Sequence, residues 1–155
     1  MATNRIGREA RTLEAICDQI IPEDQDPGAV SAGVVNYIDR QLSGRFKNLR
    51  KVYRQGIVEI ERQCVGKYGK RFAELAYQKQ REFLAVLDCD KAWDGTSLRA
   101  FFRLVVRHSM QGFYGDPRHG GNIERVSWKM VGLPYPPVRG RFQYDINAAT
   151  QAGSS

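Results

Sequence analysis

Cysteine and histidine are scarce in this chain. Its 155 residues hold three cysteines, Cys17, Cys64 and Cys89, and two histidines, His108 and His119. Three cysteines without a CxxC pair exclude a disulfide scaffold and a four-cysteine zinc site, and read as buried or free thiols. Two histidines exclude a His-rich metal centre. No apolar run approaches the ~18 residues of a membrane-spanning helix, so no span is expected. Met1 to Arg11 lacks both an apolar core and a twin arginine, so no export signal is legible. Cytoplasmic placement follows from that alone; processing, or export with a signal-bearing partner, would make it periplasmic. Phosphate-loop and dinucleotide fingerprints are missing, as is a nucleophile elbow, so no cofactor site is legible in this chain.

What is present is helical periodicity. The length suits one domain of about 100–200 residues. Leu13, Ile16, Cys17 and Ile20 form one apolar stripe, stopped by Pro22. Val30, Val34, Tyr37, Ile38 and Leu42 predict a second helix, broken at Ser43-Gly44. Phe46, Leu49, Tyr53, Ile57, Ile60 and Cys64 predict a long third helix over about 45–67. A fourth is expected over 72–88, with Phe72, Leu75, Phe83, Leu84 and Leu87 inward. After an Asp94-Gly95 turn, Thr96 or Ser97 can cap a fifth helix carrying Leu98, Phe101, Phe102 and Val105. A short helix over 123–131 ends at Gly132. Strand alternation is absent. The expectation is an all-α, single-domain bundle of five to six helices with an extended Pro/aromatic C-terminal arm. Residues 1–11 read as a polar segment, 12–145 as the helical domain and 146–155 as a disordered tail.

Charge is uneven. The chain carries 24 Lys and Arg against 17 Asp and Glu, a net of +7. From Arg40 to Arg81 there are 12 basic residues against Glu59, Glu61 and Glu74, which is +9 and leaves −2 for the rest. Such a segment suits an acidic partner or nucleic acid, or is a solvated helix flank. Nucleic-acid motifs are missing, so a basic nucleic-acid-binding module is only an alternative.

Two regions can carry function. The run Gly115-Asp116-Pro117-Arg118-His119-Gly120-Gly121-Asn122 is a polar, glycine-rich loop. Such loops are structural turns or binding surfaces. Asp116 and His119 with Ser109 or Ser127 would make a stand-alone enzyme, although nothing in the spacing orients a nucleophile. His108, at helical spacing behind Leu104 and Val105, reads as a hydrogen-bonded core or interface residue. Phe113, Tyr114, Trp128, Tyr135, Phe142 and Tyr144 fall within 32 residues, accompanied by Arg118, Arg125, Arg139 and Arg141. Aromatic and arginine side chains are enriched at interfaces.

The stretch from His108 to Asn122, with its Asp-Pro-x-x-Gly-Gly-Asn core, then Trp128 and Gly132-Leu133-Pro134, resembles the gluconate 2-dehydrogenase subunit 3 family. Leu13 to Pro22 and the Pro27-Gly28-Ala29 and Val35-Asn36-Tyr37-Ile38-Asp39 segments fit it too. The resemblance spans roughly residues 12–145. It implies a small all-α accessory subunit of a large flavoprotein of the glucose-methanol-choline type, which oxidises sugars, sugar acids or glycosides. FAD and the catalytic histidine would lie in that partner. A cytochrome c subunit or another acceptor would take the electrons. The small subunit would aid folding, stability or export of its partner. Many relatives bear a twin-arginine signal; here Arg5 and Arg8 are isolated. Asp116, Pro117, Arg118, His119, Gly120, Gly121, Asn122, Trp128, Tyr135, Arg139 and Arg141 are the expected partner-binding residues.

Overall fold

The stripe at Leu13, Ile16 and Cys17 buries one face of the first helix, α1, Ala2–Ile20. The helix starts well before Leu13, inside the segment expected to be merely polar. Lacking an N–H, Pro22 cannot extend the ladder, and Ile21 N–H donates the last bond to Cys17 O at 3.0 Å. The computed structural model describes residues 2–89 and 97–132. The expected 94–95 turn, Thr96 cap, extended arm and tail lie outside the described residues.

Between α1 and the second helix the chain folds back tightly. A Cβ on Gly28 would sit 2.6 Å from backbone atoms of Ile21, Pro22 and Glu23, so only glycine fits. Residues 29–33 form turns, and Gly33, at φ 66°, leads into α2, Val34–Ser43. Val30, expected on the buried side of a helix, is instead 43% exposed on that turn. Val34, Tyr37 and Ile38 are buried as expected.

The third helix, α3, Arg50–Tyr68, starts five residues later than its periodicity suggests. A 3₁₀ turn, Lys47–Leu49, precedes it. Gly69, at φ 67°, closes α3 by donating its N–H to Val65 O at 2.9 Å. Phe72 and Leu75 are buried, yet they lie on a separate 3₁₀ turn, Phe72–Glu74, and an extended residue. The fourth helix, α4, therefore spans only Tyr77–Cys89.

Helix α5, Ser97–Tyr114, is the hub and packs against α1, α2, α3, α4 and the short α6, Val126–Met130. Its apolar stripe, Leu98, Phe101, Phe102 and Val105, is buried with Phe113. A Cβ on Gly56 of α3 would collide with the Phe101 ring, so glycine is what admits that ring. Emptying such a site costs about 3–5 kcal/mol, which makes Phe101 a principal anchor of the α3–α5 contact. Six α-helices and no strand occur among the described residues. No helix there is long and apolar enough to cross a membrane.

Candidate partner-docking site

The C-terminal end of α5 carries the glycine-rich loop. Asp116 caps the 3₁₀ turn Pro117–His119, its carboxylate accepting the Arg118 backbone N–H at 3.0 Å. The Arg118 guanidinium donates to both Asp116 oxygens, at 3.0 and 3.1 Å from Nε and 2.6 Å from Nη2. Those side-chain bonds, then the backbone bond, hold the Asp116 carboxyl well below the usual carboxylate range. From α2, Arg40 donates to Arg118 O at 2.8 Å and ties the turn down from below.

The inner side of the loop is set by close approach and by one buried amide. Gly121 lies against Gly112 O and the Tyr37 side chain, leaving no room for a Cβ. Asn122 is fully buried at φ 47°. Its amide donates to Gly115 O at 2.9 Å, and its carbonyl accepts Ser127 N–H at 3.0 Å and Ser127 Oγ–H at 2.9 Å. One side chain thereby joins the loop entry to the start of α6. Ile123 N–H donates to Ala32 O at 3.1 Å, and the Ile123 side chain covers Gly33. The Trp128 indole N–H donates to Tyr114 O at 2.8 Å, closing the end of α5.

Beyond Asn122 the backbone is strained. Glu124 and Arg125 also have positive φ, 56° and 60°. Such conformations cost of order 1–3 kcal/mol each for residues with a side chain, and they cluster where structure serves function. Tyr114, Ile123, Met130 and Val131 are exposed hydrophobics on this edge, each 41% exposed or more. Arg118 and His119 stand exposed beside them.

The expected binding residues thus divide. Asp116, Pro117, Arg118, His119 and Gly120 form the outer loop, Gly121 and Asn122 are buried and shape it from within, and Trp128 is half-buried. Tyr135, Arg139 and Arg141 lie outside the described residues. Tyr37, Arg40, Gly112 and Ser127 complete the loop's support. Helical spacing marks Tyr37 and Gly112 only as core positions, while Arg40 reads only as the start of the basic stretch and Ser127 only as a triad candidate.

The triad alternative does not assemble. Asp116 is engaged by Arg118, Ser127 by Asn122, and Ser109 is buried with its hydroxyl 3.5 Å from Cys17 Sγ. His108 is a core residue: Nδ1 lies 2.8 Å from the Tyr53 hydroxyl, and its ring stacks on Phe46 at 4.9 Å. Burial pushes His108 below its ordinary value and the Cys17 and Cys64 thiols up to about 12. Cys89 is exposed. No cluster of three His, Cys, Asp or Glu that would hold a metal occurs among the described residues. In the basic stretch, Arg62 pairs with Glu59 and Lys79 with Glu82, Arg50 donates to Leu42 O, and Arg40 serves the loop.

No curated protein and no solved structure matches the sequence. A protein family described as gluconate 2-dehydrogenase subunit 3 matches residues 7–134, which takes in most of α1, the whole of α2 to α6 and the loop. The chain therefore belongs to the gluconate 2-dehydrogenase subunit 3 family, as an accessory subunit of a multi-subunit dehydrogenase.

Proposed function

We propose that this chain is the non-catalytic small subunit of an FAD-dependent sugar or glycoside dehydrogenase of the glucose-methanol-choline type. It supports folding, stability or export of the large flavoprotein, which holds the FAD. A cytochrome c subunit or other acceptor takes the electrons. One observation carries the reading: the loop is locked from within by Asn122 and Gly121, while its outside offers Arg118 and His119 beside exposed Tyr114, Ile123, Met130 and Val131. A rigid apolar and arginine-rimmed edge loses little entropy on docking, which is how a preorganised surface gains affinity.

The test is co-expression with a tagged candidate flavoprotein, followed by capture and an absorption spectrum. The expected product is a yellow complex containing this chain, with lower flavoprotein yield when the chain is omitted. Ile123→Glu and Met130→Glu, both on exposed side chains, should weaken capture at least tenfold with helix content unchanged. Unaltered yield and activity of the flavoprotein without this chain would refute the proposal.

A further inference from the structure

A cavity of about 520 Å³ lies between α1 and the Phe72–Glu74 turn, and neither the loop nor its edge contributes to it. That is the size of a small-molecule site, about 300–1,000 Å³. Arg8, Arg11 and Thr12 of α1 line one wall, and Arg71 and Glu74 line the other. Positions 8, 11 and 12 share a helix face because residues three and four apart are neighbours there. Arg71 comes from a distant part of the chain and is fixed at the entry of its turn, where its backbone N–H donates to Glu74 Oε2 at 3.1 Å.

These arginines converge on one cavity and, unlike some surface cations, are not neutralised by a local carboxylate. Arg62, Lys79 and Arg118 each have a carboxylate two or three residues away. Among the described residues, no ion pair or side-chain hydrogen bond engages the guanidinium of Arg8, Arg11 or Arg71. Two carboxylates are near. Glu74 is held by the Arg71 N–H, and Glu61 accepts the Thr12 hydroxyl at 2.6 Å. Three guanidiniums against two carboxylates leave the cavity positive.

We propose that this cavity binds a phosphate group. One guanidinium fork satisfies both oxygens of a planar carboxylate. Three forks from two walls suit a tetrahedral dianion, whose oxygens accept from several directions at once. The remaining volume admits the organic part of a phosphate monoester or a lipid headgroup.

Inorganic phosphate weakly stabilises any protein by exclusion, without saturating. A site instead gives a saturating rise in the thermal midpoint. With phosphate a hundredfold above Kd and ionic strength held constant with chloride, the expected rise is about 7 °C. The exposed pair Arg8→Gln/Arg71→Gln should melt like the parent in chloride and lose the saturating part. Arg8→Lys/Arg71→Lys should keep the charge and weaken binding about tenfold. A rise that never saturates, or is equal in parent and Gln variant, overturns the proposal. Phenyl phosphate and phosphatidic acid vesicles then separate the sources. Arg-dependent sedimentation with vesicles assigns a headgroup, and saturation by phenyl phosphate without sedimentation assigns a soluble monoester.

Discussion

Replacing Asn122 by Ala removes the buried side chain that joins Gly115, at the start of the loop, to Ser127 of α6. Ser127 N–H loses its partner in the buried interior, and Gly115 O loses one that was half-buried. Each orphaned group costs roughly 1–3 kcal/mol, because it gave up water on folding and receives nothing in return. Ser127 Oγ–H rotates and is cheaper to lose. The left-handed backbone at φ 47° adds about 1 kcal/mol for Ala, which tolerates it less well than Asn. The sum is about 4 kcal/mol, a large share of the roughly 5–15 kcal/mol that holds a domain together. For a chain of this length it lowers the thermal midpoint by about 10 °C. Urea unfolding of parent and variant measures it directly, with an unchanged slope and a lower midpoint. Asn122→Gly separates the causes: glycine accepts the backbone angle, so it should recover about 1 kcal/mol and no more. A loss below about 1 kcal/mol for Asn122→Ala, or parental stability for Asn122→Gly, would refute the assignment of this amide as the loop's fastening.

Two further outcomes follow from the core. Burial holds His108 below its ordinary value of about 6.5, so below that pH the unfolded chain binds the extra proton first. Its contribution to stability is complete above about pH 6.5 and is lost as pH falls through that value toward the folded one. His108→Gln should flatten the urea midpoint between pH 7 and 5; equal slopes would contradict the burial argument. With Cys17 and Cys64 near 12, a thiol reagent at pH 8 should label one cysteine per native chain, Cys89, and all three in urea. Fast labelling of a second thiol in the native state would show that the core opens readily.

Stripes such as Leu98, Phe101, Phe102 and Val105 on α5 were legible because one buried face repeats at the helical period. Boundaries were not. Phe46 and Leu49 keep helical spacing with Tyr53, yet the first two flank or sit on a 3₁₀ turn, because apolar spacing records burial and not hydrogen-bond pattern. Val30 shows the converse, an apolar residue at the right interval on an exposed turn. Nor does composition reveal that the α1 stretch before Leu13 is helical, since Gly7 to Arg11 buries too little to show a stripe.

The loop was legible in composition only. Gly120-Gly121 and Asp116-Pro117 mark a turn. That Asn122 is buried, and that Arg40 reaches it from below through Arg118 O, depends on contacts between segments remote in the chain. A polar residue in a glycine-rich run reads as solvent-facing until its partners are known.

The loop face has a further consequence for when it comes into existence. Arg40 and the Arg118 carbonyl it holds are 78 positions apart, and Ile123 leans on the Ala32 turn from an equally remote part of the chain. Such closures require α2 to be packed against the end of α5, so the face exists only where both helices are in place. Half-made chains and chains with a misplaced α5 cannot display this edge. A partner docking on this edge would thereby read completion of the fold, and distinguish finished subunits from unfinished ones.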